Sequence, residues 1–165
     1  MKEKIKKAMK GKYPEDVALI ITKDKKGVVD ITPICYFMNA SYKPHPETWA
    51  ISLWKGHYST ENIKKTKEFV LCIPTLKQKK DILYCGSVSG KKVNKLEHCN
   101  FKTIPSKKIK SPMIKGCIAC FECKVIKSML VYNQMLFVGK IVRAKYFKKD
   151  KKVYHLGNYK LGGIR

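Results

Sequence analysis

Most of the apolar residues of this chain fall into short runs separated by polar, charged or glycine-containing segments. These runs are rich in β-branched and aromatic side chains, which is typical of strands. The longest run can bend at Gly139, and Lys140 faces away from Phe137, as expected for a strand with alternating faces. The pattern predicts a mainly β protein with five or more strands, at residues 17–22, 27–41, 48–54, 68–74 and 134–147.

Helical patterns are fewer and shorter than the strand patterns. Residues 1–10 predict a short amphipathic helix, and residues 59–67 and 75–85 predict two more helices between strands. The glycine-containing stretch 85–101 predicts a loop with a short helix near Lys95–Cys99. Neither an internal repeat nor a low-complexity linker interrupts the chain, so the sequence predicts a single domain over residues 1–165.

The charge of the chain is strongly positive, with a formal net charge of +24 over 165 residues. Such a surface attracts phosphates, so a basic β-barrel that binds nucleic acid, using lysines and aromatic residues such as Tyr36, Phe37, Tyr42 and Trp54, is an alternative function. However, Arg143 and Arg165 are the only arginines, and the lysines are scattered along the chain. Because sequence-specific readout favours the arginine fork, no specific nucleic-acid partner is predicted.

Targeting and cysteine patterns favour the cytoplasm. The basic N-terminus is not followed by an apolar segment, and no apolar run is long enough to cross a bilayer, so the sequence predicts a cytoplasmic protein without a membrane partner. The cysteines are seven in number and dispersed, unlike the paired framework of a small secreted domain. Reduced thiols are therefore expected.

Three of these cysteines, Cys117, Cys120 and Cys123, have the spacing C-x-x-C-x-x-C. In a strand, Cys117 and Cys123 would share one face roughly 20 Å apart, with Cys120 on the other face. The histidines, at positions 45, 57, 98 and 155, have no zinc-ligand spacing either. The sequence therefore predicts no metal site, and the cysteines are interpreted as small buried apolar residues.

The segment with the clearest chemistry is residues 38–70. A polar turn follows one strand, a second strand ends at Trp54, and a helix opens at the sequence S-T-E-N. Ser59 or Thr60 is predicted to cap that helix, whose first N–H groups and positive end favour an anion such as phosphate. Capping alone is the simpler interpretation of the two hydroxyls.

The order and spacing of several segments resemble the flavin reductase-like proteins of the FMN-binding split-barrel fold, including flavoredoxins. The resemblance covers most of the chain, with Asn94 where the family usually has Asp. Its motifs are N-A-S-Y at 39–42, the strand, T-E-N-I helix and strand of 49–74, S-G-K-K-V-N-K-L-E at 89–97, C-I-A-C-F-E-C-K-V-I at 117–126 and L-F-V-G-K-I-V-R-A-K-Y-F at 136–147.

The resemblance implies a Greek-key split β-barrel with a few short helices that forms a homodimer and binds FMN. It places one group of residues along the flavin ring and a second group around the phosphate. The ring group is Asn39, Ala40, Ser41, Tyr42, Ser52 and Leu53, and the phosphate group is His57, Tyr58, Ser59, Thr60, Asn62, Ser87, Ser89, Gly90 and Lys91.

An FMN-binding oxidoreductase or electron-transfer protein is the function that the resemblance implies. Electrons would pass from NAD(P)H or a redox protein through the flavin. Because the flavin itself accepts the electrons, no side chain is predicted to be a catalytic acid, base or nucleophile.

Overall fold

The computed structural model describes residues 1–164 of the chain, and the mainly β class predicted from the sequence is confirmed. The helices are α1 Lys2–Ala8, α2 Tyr58–Thr66 and α3 Lys79–Ser87, with 3-10 turns at Met9–Lys12, Leu76–Gln78 and Lys95–Glu97. The strands are β1 Glu15–Asp16, β2 Ala18–Lys23, β3 Val29–Ile34, β4 Phe37–Ser41, β5 Thr48–Trp54, β6 Glu68–Ile73, β7 Thr103–Ile104, β8 Met113–Ile114, β9 Ala119–Val131, β10 Gln134–Tyr146, β11 Tyr154–His155 and β12 Leu161–Gly162.

One seven-stranded antiparallel sheet, in the order β3-β2-β6-β9-β10-β5-β4, forms the body of the fold. Its two edge strands, β3 and β4, are consecutive in the chain and are separated by Cys35 and Tyr36 alone. The backbone N–H of Ser52 also donates to the carbonyl of Tyr36 at 2.9 Å. The sheet is therefore curled so that one continuous segment pairs at both of its edges.

The sequence-based prediction of one strand over 27–41 was wrong in this respect. The chain stops pairing with β2 at Ile34 and begins pairing with β5 at Phe37. A local sequence pattern does not reveal this change of pairing strand, because the apolar character of the segment continues through it. The break brings the segment from Pro33 to Tyr36 to one end of the barrel.

The core has two parts, which lie on opposite faces of the most buried strands. Along β2, Leu19 and Ile21 join one cluster, whereas Ala18 and Ile20 join the other. Both faces of β2 are therefore covered, which explains its continuous apolar sequence. Helix α3 packs on the first cluster through Ile82 and Cys85, and α2 packs on the second through Ile63.

Strand β10 is irregular where the sequence suggested a bend. Its register with β9 shifts between Val138 and Gly139 and again between Ile141 and Arg143. A Cβ at Gly139 would lie 2.7 Å from the ring of Phe69, so this strand crosses the core at a distance that only glycine permits. The register shift thus falls at the position where the sequence predicted a bend.

Helical segments occur at all four predicted places, but their bounds differ from the prediction, and the short helix predicted near Lys95–Cys99 is the 3-10 turn Lys95–Glu97. Helix α1 has no buried residue, so it lacks the packed face of an amphipathic helix. The segment predicted as a helix over 75–85 begins with a 3-10 turn, in which Thr75 and Gln78 form a capping box, and α3 then continues to Ser87. The loop predicted from residue 85 therefore begins later.

The predicted faces of the cysteines need correction. Strand β9 begins at Ala119, so the alternation does not extend back to Cys117. As a result, Cys117 and Cys120 lie in the first core cluster and Cys123 lies in the second. Cys120 pairs with Cys72 across β6 and β9, and their sulfur atoms are at bonding distance, which corrects the expectation that all thiols are reduced.

Candidate cofactor-binding cleft

Three adjoining cavities open at the end of the barrel where β3 passes into β4. Their volumes are about 250, 220 and 740 Å³, and Pro33 borders all three. Ligand sites for drug-sized molecules typically measure roughly 300–1,000 Å³, so the three cavities together, here called the cleft, offer room for such a ligand. The first cavity also borders Ser52, Leu53, Trp54, His57 and Gln134, the second borders His57, Tyr58, Ser87, Ser89, Gly90 and Lys95, and the third borders Cys35, Ile82 and Tyr159.

The connection from β5 to α2 forms the wall between the first two cavities. The N-cap of α2 is His57, which makes no side-chain capping bond, and the backbone N–H groups of Thr60 and Glu61 both donate to the carbonyl of His57. The predicted cap at Ser59 or Thr60 is therefore wrong. The helix starts earlier because the chain already turns at Gly56, over which the ring of Trp54 packs.

The side chains of the first helical turn hold α2 against the sheet. The Ser59 hydroxyl donates to Asp30 at 2.7 Å, and the Thr60 hydroxyl donates to the carbonyl of Trp54 at 2.9 Å. The Asn62 amide donates to the hydroxyl of Thr22 at 3.1 Å. These side chains are buried and already hydrogen-bonded within the protein. An anion at this end of α2 would therefore be bound chiefly by backbone N–H groups of the first turn.

A buried ion pair lies beneath the second cavity. The ammonium of Lys95 lies 2.9 Å from the Asp30 carboxylate, and it also donates to the carbonyl of Ile31 at 2.7 Å. Both side chains are almost fully buried. Asp30 therefore links the sheet, α2 through Ser59, and the 3-10 turn at Lys95.

The loop after α3 forms the opposite wall of the second cavity. Ser87, Ser89 and Gly90 border the cavity, as predicted for a phosphate side. Gly90 passes so close to Asp30 that a Cβ there would collide with the carboxylate. Lys91, by contrast, forms an ion pair with Glu61 on α2.

The pKa values of two ring side chains at this wall, His57 and Tyr58, are shifted. Burial, and secondarily Lys95, lowers the pKa of His57 below its ordinary value of 6.5, with Asp30 acting in the opposite direction. Its Nδ1 is buried without a hydrogen-bond partner among residues 1–164. The Tyr58 hydroxyl donates to Asp24 at 2.7 Å, and this bond chiefly raises the pKa of Tyr58 to about 12. Near neutral pH, both side chains are uncharged hydrogen-bonding groups.

The residues predicted along the flavin ring divide into two groups. Ser52 and Leu53 border the first cavity. Asn39 borders a fourth cavity, which shares Lys12, Glu15 and Cys35 with the first. Ala40, Ser41 and Tyr42 border none of the three cavities of the cleft, and the Ser41 hydroxyl is bound to the carbonyl of Pro46 and the hydroxyl of Thr48. Within one chain, residues 33–36, which precede Asn39 to Tyr42 in the sequence, border the cleft instead.

Sequence reasoning missed several residues of the cleft. An acidic residue inside an otherwise apolar strand pattern is unusual, and that was the available signal for Asp30. The others carried no local signal, because they meet only when the sheet closes. They are Pro33, Ile34, Cys35, Lys95, Gln134 and His155.

The profile of the flavin reductase like domain matches residues 9–163, which is nearly the whole chain. The chain belongs to this family. The resemblance stated from the sequence motifs is thereby confirmed.

Solved structures show the same fold for this flavin reductase-like chain. A flavoredoxin from Methanosarcina acetivorans is similar with a TM-score of 0.83 and 24% identity, covering 93% of this chain and 87% of the other. An FMN-binding protein from Thermus thermophilus is similar with a TM-score of 0.82 and 18% identity, covering 92% and 87%. The predicted split β-barrel with short helices is therefore confirmed.

Sequence relatives are also found among archaeal proteins. An uncharacterized protein of Archaeoglobus fulgidus is 36% identical over 109 residues, which is 64% of this chain and 62% of the relative. A second, from Methanothermobacter thermautotrophicus, is 33% identical over 136 residues, or 78% of this chain and 62% of the relative. The chain thus spans less than two thirds of the length of either relative.

The helices of this flavin reductase-like chain are short. Within the described residues 1–164, none has the length and apolar character needed to cross a membrane.

Proposed function

We propose that this chain binds FMN in the cleft and works as a flavin-dependent oxidoreductase or electron-transfer protein. The observation that carries the proposal is that the first two cavities lie side by side and share Pro33, Trp54 and His57 in their walls. One wall of the first cavity is apolar, formed by Pro33, Ile34, Leu53 and Trp54, and the second cavity is bordered by a helix N-terminus and a serine- and glycine-containing loop. FMN has the same division into an apolar ring and an anionic tail.

The second cavity fits a phosphate group by the chemistry of its walls. The N–H groups of Thr60 and Glu61 donate to the His57 carbonyl, which leaves those of Tyr58 and Ser59 at the start of α2 for an anion, and a helix N-terminus favours a negative charge. Ser89 and Gly90 stand opposite, and Gly90 lets the loop approach closely. The carboxylate of Asp30 would repel a phosphate, but the Lys95 ammonium compensates its charge.

The first cavity fits a flat, mostly apolar ring. Leu53 is buried at its floor, Trp54 is half-exposed at its rim, and the ring of Trp54 meets that of His57 at 5.5 Å between centroids. Ser52 and Gln134, whose side chains lie 3.4 Å apart, supply polar groups at one edge. Such a wall would bind and orient the ring and keep water from it.

A bound flavin supplies the redox chemistry, because its ring accepts electrons as hydride or singly. The residues of this chain would bind, orient and tune it, and none acts as a nucleophile in the proposal. NAD(P)H or a reduced redox protein is the proposed electron donor. A homodimer in the cytoplasm is the proposed state, in which Asn39 to Tyr42 could approach the ring from the partner chain.

The absorption spectrum of the purified protein, followed by titration of the flavin-free protein with FMN, riboflavin and FAD, tests the proposal. Gly90→Ala places a methyl group against Asp30 and 3.1 Å from the ring of Tyr58, so the loop must move. We expect this variant to bind FMN at least about tenfold more weakly, from the loss of one hydrogen bond to a charged group, and riboflavin nearly as well as the wild type.

Gly11→Ala is the matched control, since a Cβ at Gly11 meets no atom within 4 Å. It should leave the affinity for both ligands unchanged. No binding of any flavin at micromolar concentration would refute the proposed function. Equal weakening of FMN and riboflavin in Gly90→Ala would remove the phosphate from the second cavity.

A further inference from the structure

Three potential metal ligands that are far apart in the sequence meet at the mouth of the first cavity. Glu15 comes from β1, Cys35 from the connection between β3 and β4, and His155 from β11. One ligand atom of each lies within 4.8 Å of the others. All three residues are half-buried and all three border the same cavity.

The imidazole of His155 faces the carboxylate of Glu15 through its Nδ1. Glu15 and His155 are direct cross-strand partners, and Nδ1 of His155 lies 3.6 Å from Oε2 of Glu15. This Nδ1 is buried and, among residues 1–164, has no hydrogen-bond partner. The ring of Tyr13 packs edge-on against the imidazole at 5.0 Å and fixes its orientation. A buried imidazole nitrogen without a hydrogen-bond partner, next to a carboxylate and a thiol, is a donor available to a cation.

The carboxylate of Glu15 can serve two cations at once. Its Oε1 lies 3.1 Å from the ammonium of Lys12, whereas Oε2 is the oxygen nearer to His155. A metal at Oε2 would therefore leave the Lys12 ion pair in place. That pair would then hold the carboxylate from behind, as outer groups commonly hold metal ligands.

We propose that Glu15, Cys35 and His155 bind a divalent metal ion of the zinc class, with a fourth position open to the first cavity. Carboxylate, thiolate and imidazole are the ligand types that zinc accepts, and three protein ligands with one open position are typical of non-structural zinc sites. Neighbouring ligand atoms of tetrahedral zinc are about 3.3–3.8 Å apart. The Glu15–His155 pair, at 3.6 Å, already has this spacing, and the distances to Cys35 are at most 4.8 Å. Binding releases the thiol proton of Cys35 to solvent.

The site goes beyond the proposed flavin function. Its open position faces the cavity proposed for the flavin ring, but none of its three ligands is among the side chains proposed to hold that ring. The sequence predicted no metal, because spacing along the chain shows only ligands that are close in sequence. A competing set exists in Cys72, Cys117 and Cys120, whose sulfur atoms also lie within 4.8 Å of one another. These three are fully buried, and two of their sulfurs are at bonding distance from each other, so the half-buried set is the better candidate.

Equilibrium dialysis of the full-length protein against Zn²⁺, with metal content measured by mass spectrometry, tests the site whether or not flavin is bound. We expect one zinc per chain. Cys35→Ala and His155→Gln should each weaken binding by at least about a hundredfold, more than the loss of an outer-shell group would cause. Co²⁺ in place of zinc should give tetrahedral visible bands with a thiolate charge-transfer band that Cys35→Ala removes.

Cys99→Ser and Cys120→Ser are the controls and should retain zinc. Glu15→Gln preserves the shape of the side chain and removes its charge, so it tests the site even if the Cys35 variant fails to fold. Zinc loss in Cys120→Ser with retention in Cys35→Ala would assign the metal to the buried cysteines and overturn the proposal. Failure to bind zinc at micromolar free concentration would overturn it as well.

Discussion

The ion pair between Asp30 and Lys95 should be the most sensitive point of the cleft. Lys95→Met keeps most of the volume and the apolar stem of the side chain but removes its charge. The variant leaves the Asp30 carboxylate buried with only hydroxyl donors, Ser59 at 2.7 Å and Thr32 at 3.4 Å. Removing one partner of a buried pair typically costs about 3–5 kcal/mol.

A loss of this size is a large part of the about 5–15 kcal/mol that stabilises a typical domain. For a chain of this length, each kcal/mol corresponds to a Tm change of about 2–4 °C. We therefore expect Tm to fall by about 6–20 °C. Urea unfolding should show a lower midpoint with an unchanged m value, because the surface exposed on unfolding is the same.

A double-mutant cycle separates the pair from its surroundings. Asp30→Asn alone leaves the ammonium of Lys95 buried without a counter-charge, so it should also be strongly destabilising. Combining Asp30→Asn with Lys95→Met removes both charges. The loss of unfolding free energy in the double variant should be smaller than the sum of the two single losses by at least about 2 kcal/mol.

The exposed pair between Lys91 and Glu61 provides the control. About two fifths of each of its side chains is exposed, so Lys91→Met should cost at most about 1 kcal/mol. If Lys95→Met were no more destabilising than Lys91→Met, the reasoning from burial would be refuted.

Four further outcomes are expected. Thr60→Ala should lower the free energy of unfolding by about 1 kcal/mol, because the hydrogen bond to the Trp54 carbonyl is lost. It should weaken the binding of FMN and of riboflavin equally, and a titration in which only FMN binding is weakened would contradict this. The pKa of His57 in the folded protein lies below 6.5, so its contribution to stability is complete above pH 6.5 and is lost as the pH falls below that value. Urea unfolding at a series of pH values should therefore show that the free energy of unfolding declines less with falling pH in His57→Gln than in the wild type. An identical decline in both proteins would contradict the prediction. Light scattering should give the mass of a dimer, and a monomer with flavin bound would exclude that proposal. Nucleic-acid affinity should collapse with added salt and show no sequence preference, and tight binding to one sequence at physiological salt would favour the alternative function.

The strand content and the family were predictable from the sequence because both depend on local order. Residues 48–54 are rich in β-branched and aromatic side chains, and β5 has these bounds. The glycine at 139 and the helix opening near residue 59 are also local signals, and both correspond to features of the fold. The observed bounds of an element differ from the predicted ones by a residue or more where the loss of a pairing strand, rather than the residue type, ends the element.

The cleft depended on contacts that only the closed sheet creates. Ser59 and Thr60 appeared able to face a ligand, but the packing of α2 on β3 directs the Ser59 hydroxyl to Asp30 and the Thr60 hydroxyl to a backbone carbonyl. Lys95 reaches Asp30 only because the loop after α3 folds back over the barrel. Local sequence fixes which residues can form a strand or helix, since the repeat of each is short. The partner of a buried charge or hydroxyl is decided by tertiary packing, because burial makes an unpaired polar group costly and the fold alone determines which distant group is within reach.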